Sequence, residues 1–201
     1  MFYFFEVEDE KVMERIYRFR YEILCEELKF FDKRNYPDGL ETDEFDRYAN
    51  HFVAFDEEFN IAATIRYIHH SPIGYPTLKH LRIYPHLEEL LRLYKWDRLG
   101  EISRVFVHKR YRNMADTKYI IRKFVTQKIY YRAKDYGVEY NLAALEKRFL
   151  RLLHMFDVNF EPIGELQSGY GSPRYPCIVP TERIERDNPE FLKDYLSRRW
   201  F

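Results

Sequence analysis

Gly100-Glu101-Ile102-Ser103-Arg104-Val105-Phe106-Val107-His108 alternates apolar and polar residues and predicts a β-strand. On a period of two, Ile102 and Arg104 face one side and Glu101 and Ser103 the other. A glutamate and an arginine in such a strand are costly to bury unless partnered. Either the strand is half-exposed with a surface ion pair, or the charges belong to a polar site inside the fold. Arg66 weighs for the second reading. It stands in another apolar run, Ala62-Ala63-Thr64-Ile65-Arg66-Tyr67-Ile68, where an arginine also needs a partner.

The surrounding sequence supplies the other elements. Residues 2–7 (FYFFEV) read as a strand and 9–27 as an amphipathic helix, capped by Asp9, with Val12, Ile16, Phe19 and Ile23 on one face. The stretch 29–48 has no clean period, contains the turn Pro37-Asp38-Gly39 and reads as a long ordered loop. Residues 51–55 and 61–68 form a hairpin through Glu57, Glu58 and Asn60. A Pro/Gly loop over 70–76 and a short helix over 86–95 lead to the charged strand. After a polar loop at 109–116, a helix over 117–136 turns Ile121, Phe124, Val125 and Ile129 inward and is closed by Gly137. A strand (138–145), a helix (146–156), two strands (near 159–166 and 174–181) and a helix (188–199, Pro189 in its first turn) complete the chain. Hairpins mixed with crossover helices predict an α/β (α+β) fold, a mixed sheet with helices on its faces. Neither a repeat nor a linker divides it, so 1–201 is read as a single domain.

Composition narrows the function. With 33 Lys+Arg against 33 Asp+Glu, the chain lacks the basic excess of a nucleic-acid binder. Its 18 Tyr and 17 Phe supply rings that pack a core and also line apolar clefts. Cys25 and Cys177 form neither a disulfide framework nor a metal motif, which suits a reducing, cytoplasmic setting. No run reaches the roughly 18 apolar residues of a membrane span, and the start is too briefly apolar for a signal peptide.

Further clusters can carry chemistry. Glu41-Thr42-Asp43-Glu44-Phe45-Asp46 packs four acids into six residues. Alone, such a run is more often a solvated turn; as a site it would hold an ammonium group or polarise a water. The spacing of a calcium loop is absent and no metal is expected. Arg20, beside the inward-facing Phe19, reads alone as a surface residue. Arg110 and Arg112, continued by Lys118, Arg122 and Lys123 into the next helix, make a basic patch that fits either a solvated face or a phosphate or acidic partner. No G-x-S-x-G or activated cysteine appears, and His69-His70 lacks zinc spacing.

Taken in order, Arg20-Tyr-Glu-Ile-Leu, Tyr36-Pro-Asp-Gly-Leu-Glu-Thr-Asp-Glu-Phe-Asp46, His51-Phe-Val-Ala, Thr64-Ile-Arg66 and Glu101-Ile-Ser-Arg104-Val-Phe-Val resemble the autoinducer-synthase branch of the GCN5-related N-acetyltransferase (GNAT) fold. That branch contains acyl-homoserine-lactone synthases and N-acyl amino acid synthases; the Tyr-Pro-Asp-Gly-Leu-Glu segment is most similar to its bacterial exosortase-associated acyltransferases. The resemblance covers 1 to about 145 and extends more weakly to Tyr170-Gly-Ser-Pro-Arg-Tyr-Pro176. It implies a mostly antiparallel central sheet and an acyltransferase that moves a long-chain acyl group from acyl carrier protein, or acyl-CoA, to the amine of an amino acid. Those are co-substrates; no tightly bound cofactor is implied. The charged site it implies is Arg20, Asp43, Asp46, Arg66, Glu101 and Arg104.

Two departures refine this. Phe30-Phe31 stand where lactone synthases carry a tryptophan, and the glycine-rich pyrophosphate loop of coenzyme-A users is absent, since 108–116 contains no Gly. The first disfavours a lactone synthase; the second favours a carrier protein. On this reading Glu101, with Ser103 and Arg104, forms the catalytic strand, Glu101 being the expected base. Amides near Val105 to Val107 face the oxyanion, and Arg66 with Arg104 grips the acceptor's carboxylate. Phe30 and Phe31 line an acyl tunnel, and Arg110, Arg112, Lys118, Arg122 and Lys123 dock the carrier. The alternatives are an acyl-homoserine-lactone synthase using S-adenosylmethionine and a non-catalytic carrier-binding module.

Overall fold

The computed structural model describes residues 1–93 and 96–198. Strand β1 (Tyr3–Val7) leads into helix α1 (Glu10–Tyr21), whose first turn is capped by Asp9 accepting from the Val12 amide. The expected helix 9–27 runs on as a π-helical stretch, Glu22–Glu27, which buries Ile23, Leu24 and Cys25. The loop after it is ordered, holding 3₁₀ turns at Lys33–Asn35 and Asp46–Tyr48.

Strands β2 (Ala49–Phe55), β3 (Ile61–His69) and β4 (Leu99–Val107) follow β1 in antiparallel order. Helices α2 (Pro76–His80) and α3 (Pro85–Leu93) lie between β3 and β4. Residues 94 and 95 of the expected helix 86–95 lie outside the described residues, as does 199 of the expected 188–199. A crossover of α4 (Met114–Phe124), a π-helical stretch (Val125–Ile129) and α5 (Tyr130–Asp135) returns the chain to β5 (Tyr140–Leu145), parallel to β4. Helix α6 (Lys147–His154) and strands β6 (Glu161–Pro162), β7 (Gln167–Gly169) and β8 (Ser172–Pro180) come next, followed by α7 (Thr181–Asp187) and α8 (Pro189–Arg198). The sheet order is β1-β2-β3-β4-β5-β8-β6, with β7 paired to β8, mostly antiparallel as expected.

Period-two alternation divides the core between the two faces. Phe52, Ile65, Tyr67 and Ile102 join the crossover residues Ile121, Phe124 and Ile129 on one side. Ile68, Leu99 and Leu142 join Phe45 and Tyr75 on the other. Helices α2 and α7 were not expected. Pro76 starts α2 at its first turn, where a missing N–H costs nothing, inside what reads as a turn-rich loop.

Two irregularities shape the centre of the sheet. Ala63, Thr64 and Arg66 of β3 pair with Val107, Phe106 and Ser103, so two residues, Arg104 and Val105, stand opposite Ile65. Arg104 takes φ +49° at this bulge. The expectation that Arg104 faces the same way as Ile102 is therefore corrected. The bulge breaks the alternation, and the Arg104 guanidinium reaches the same Asp43 carboxylate as Arg66. The second irregularity is that β4 and β5 pair only at Leu99, Gly100 and Glu101 with Tyr140, Asn141 and Leu142, and then diverge. A buried chain pins that junction: Tyr67 Oη donates to Asn141 Oδ1 (2.7 Å), Asn141 Nδ2 to Thr181 Oγ1 (3.0 Å), and Thr181 Oγ1 to the Val138 carbonyl (2.7 Å). Gly100 lets Tyr67 approach, since a Cβ there would sit 2.4 Å from its hydroxyl oxygen.

Candidate functional site

The acidic run is folded by its own hydrogen bonds. The Glu41 amide donates to the Tyr17 carbonyl (3.1 Å), the Phe45 amide to Asp43 Oδ1 (2.9 Å), and the Asp43 amide to Asp46 Oδ2 (2.8 Å). These bonds aim three of its carboxylates inward at three arginines from α1, β3 and β4.

The result is a closed ring of alternating charge. Arg20 Nε donates to Glu41 Oε2 (2.5 Å), and Glu41 Oε1 accepts from a terminal nitrogen of Arg104 (2.7 Å). The same Arg104 nitrogen reaches Asp43 Oδ2 (2.9 Å), and Asp43 Oδ1 accepts from Arg66 (2.6 Å). That Arg66 nitrogen also donates to Asp46 Oδ1 (2.7 Å), and Asp46 returns to Arg20 through both oxygens (2.8 and 3.2 Å). Arg66 Nε donates to Ser103 Oγ (2.9 Å), which ties the ring to β4. Three positive and three negative groups cancel, which is what allows Arg20, Glu41 and Arg66 to be almost wholly buried.

The electrostatics follow from this geometry. Burial opposes charge on Glu41, Asp43 and Asp46, but the arginines beside each outweigh it and hold all three carboxyls below their ordinary values. Burial likewise opposes charge on Arg20, and Asp46 and Glu41 reverse it, raising its pKa. His51 reaches the Asp46 carbonyl (3.3 Å), and burial lowers its pKa to about 4.

Glu101 is not in the ring. It is 1% exposed and takes the Thr77 amide (2.9 Å to Oε2) and the Thr77 hydroxyl (3.0 Å to Oε1) at the start of α2. Burial raises its pKa to about 7, against the pull of Thr77, Arg66 and Arg104. Where β4 and β5 diverge, a cleft of about 290 Å³ opens, with Glu101 in its wall. Phe30, Phe31, Val105 and Val107 are among its apolar lining, and Ser103, Arg104 and Arg112 also line it. The Phe31 ring lies 5.5 Å from the Arg104 guanidinium. Arg20, Asp43, Asp46 and Arg66 stand behind this wall in the ring.

The basic patch is less unopposed than the sequence suggests. Arg112 holds Glu27 with both terminal nitrogens and the Val107 carbonyl with Nε (2.7 Å), Arg110 lies 3.8 Å from Glu58, and Arg122 lies 3.8 Å from Glu190. Lys123 sits over the Tyr119 ring at 6.0 Å. Arg110 and Arg122 remain more than half exposed.

Thr77, Tyr170, Glu146 and Arg174 belong to the site but were not singled out from sequence. The segment Tyr170–Pro176 was flagged only as a weak family motif; nothing local marks Thr77. Among the described residues, no group of three or more His, Cys, Asp or Glu is arranged to hold a metal, and no helix is long and apolar enough to cross a membrane.

The chain combines a mixed, mostly antiparallel sheet, bulged and splayed at its centre, with a cleft in the split. Residues 19–122, a little over half of the chain, match the family model described as an acetyltransferase (GNAT) domain, and the chain belongs to that family. It is an acyltransferase. Its fold is similar to that of BjaI, a CoA-dependent acyl-homoserine lactone synthase solved with SAM and isopentyl-CoA (TM-score 0.65, 21% identity, 90% of this chain and 82% of that one). It is also similar to TofI, solved in a ternary complex with an inhibitor and MTA (TM-score 0.63, 15% identity, 95% and 99%). FeeM, an N-acyl amino acid synthase from uncultured soil microbes, shares the fold too (TM-score 0.60, 16% identity, 93% and 94%). No functionally curated protein matches the chain.

Proposed function

We propose that this acyltransferase moves a long-chain acyl group from a carrier thioester to the amine of an amino acid, giving an N-acyl amino acid. One observation carries the reading: a buried carboxylate, Glu101, with a pKa near 7, in the wall of an otherwise largely apolar cleft at the root of the β4/β5 split. A base near neutrality suits deprotonation of an ammonium group.

The amine enters as an ammonium ion and gives one proton to Glu101, directly or through a water. Its nitrogen attacks the thioester carbonyl, and strand amides at Val105 to Val107 are assigned to the developing oxyanion. Once the C–N bond has formed, the oxyanion collapses and the C–S bond breaks; the thiolate takes the second amine proton and Glu101 returns the first to solvent. Arg104 and Arg66, fixed by the ring, hold β4 in its bulged form, and Ser103 couples Arg66 to that strand. Phe30 and Phe31 receive the acyl chain. Acyl carrier protein is the proposed donor, supported by the glycine-free loop at 108–116, the exposed Arg110 and Arg122 and the half-buried Lys118 and Lys123 beside them. The two free, buried cysteines fit a reducing cytoplasm.

Mass spectrometry of lipids from a bacterial host expressing the chain tests the assignment. N-acyl amino acids are expected; acyl-homoserine lactones would replace this reading by the lactone-synthase alternative. Carrier binding with no acylated product would leave the non-catalytic module.

A further inference from the structure

We infer that Arg174 is the residue that recognises the acceptor's carboxylate, so that the acceptor is an amine bearing a carboxylate; this rests on the amine-acceptor reading above. Among the described residues, three arginines line the cleft: Arg104, Arg112 and Arg174. Two of them are spoken for. Arg104 holds Glu41 through Nε (3.1 Å) and a terminal nitrogen (2.7 Å), and that nitrogen also holds Asp43 (2.9 Å). Arg112 holds Glu27 and the Val107 carbonyl through all three of its nitrogens. Arg66 lies behind the wall and does not line the cleft; its Nε and one terminal nitrogen are committed to Ser103, Asp43 and Asp46, and its other terminal nitrogen is buried without a partner. A bidentate grip on a substrate by Arg66 or Arg104 would displace a ring carboxylate.

Arg174 differs. Its side chain is 20% exposed, and its contacts are two long hydrogen bonds, to the Ala144 carbonyl (3.3 Å) and to Glu146 Oε1 (3.2 Å). Its Nε is buried without a partner. Glu146, also in the cleft wall, is 43% exposed and shares the same oxygen with Ser172 Oγ (2.7 Å). A guanidinium carries five N–H donors in a planar fork that matches a carboxylate. Here most of that capacity is unused, and burial, with Arg104 adding to it, works against the charge more than Glu146 supports it. An incoming carboxylate supplies what is missing. Tyr170, at the tip of the β7–β8 hairpin, lines the same cleft as Glu101 and Arg174. That places a base for the amine and a cation for the carboxylate along one wall.

The test measures initial rates with an acyl-carrier thioester and, in parallel, an amino acid and its methyl ester. Arg174→Gln is expected to raise the amino acid's KM about 10- to 100-fold, the loss of a charge-assisted contact, with the thioester's KM and the ester's rates unchanged. Arg174→Lys restores part of that KM. Glu146→Gln, which removes the competing carboxylate, lowers it. An unchanged amino-acid KM in Arg174→Gln, or a rise in the thioester's KM instead, overturns the assignment while the acyltransfer reading stands. A rise in amino-acid KM for Glu146→Gln points to a structural role for the pair and also overturns it. If the unmutated protein acylates no amino acid, the acceptor reading itself falls and this inference with it.

Discussion

Arg20 Nε and Glu41 Oε2 stand 2.5 Å apart with side chains only 1% and 0% exposed, sealed beneath the cleft rather than facing it. They are neighbours in a ring of six charges, so neither can be removed without stranding others. Glu41→Gln leaves Arg20 with Asp46 alone and Arg104 with Asp43 alone, and is expected to cost about 3–5 kcal/mol, measured by urea denaturation. Arg20→Met should cost a similar amount for the converse reason. A loss below about 1 kcal/mol would mean the ring behaves like a surface ion pair.

The same ring sets the response to acid. Glu41, Asp43 and Asp46 have folded pKa values below their unfolded ones. The stability they contribute is therefore present above their ordinary values, near 4, and is lost as pH falls through the lower folded values. Asp46→Asn should flatten this acid limb in a stability-versus-pH series while lowering stability at pH 7. An unchanged slope below pH 4 would count against the depressed carboxyls.

Glu101 has the opposite sign. Between its ordinary 4.5 and its folded value of about 7 the folded protein holds a proton that the unfolded chain has released. Stability from this group falls as pH rises through that window. Glu101→Gln should remove the fall and make the protein more stable than its parent at pH 8, while lowering kcat by about 10²- to 10⁴-fold. The ascending limb of kcat/KM is expected near pH 7, and Thr77→Val, which deletes the hydroxyl donor at 3.0 Å, should move it to higher pH. A Glu101→Gln enzyme with full turnover would remove Glu101 as the base.

The proposed docking of an acidic carrier depends on exposed charge. Reversal of Arg110, Arg122 and Lys123 together should weaken carrier binding, more at low salt than at high, because such charges act through screened fields. Calorimetric titration at two ionic strengths checks this. Unchanged affinity would locate the docking surface elsewhere.

The hairpin tip makes a further case. Gly171 has φ +84°, and a Cβ there would sit 2.1 Å from Phe30 Cγ. Gly171→Ala should cost about 1–2 kcal/mol from the backbone alone. By pushing Phe30 aside it should also change the acyl lengths accepted, read from rates across a thioester series. An unaltered melting temperature would show that the tip does not depend on this contact.

Much of the fold was legible because its signals are local. Strands such as Ile61–His69 and helices such as α1 carry the period that their neighbours demand, and their ends fall close to expectation. The two π-helical stretches were read as ordinary helix, since a single added residue hardly disturbs an apolar stripe. Helix α2 was missed because Pro76 reads as a breaker, yet it carries Thr77 to Glu101.

The residue types of the site were visible in the chain: Arg20, Glu41, Asp43, Asp46, Arg66, Glu101 and Arg104 stand out as charges in apolar surroundings or as a dense acidic run. Their division of labour was not. Alternation set Arg104 beside Ile102, and only the bulge opposite Ile65 turned it toward Glu41 and Asp43. Its function as ring member rather than free cation follows from distances between residues 20, 41, 43, 46, 66 and 104, which no local pattern encodes. The sequence by itself determined which charges are too costly to bury alone. The tertiary structure decided which of them cancel one another and which, Glu101, stands outside the ring in the cleft wall, because pairing of charges depends on position in space and not on order along the chain.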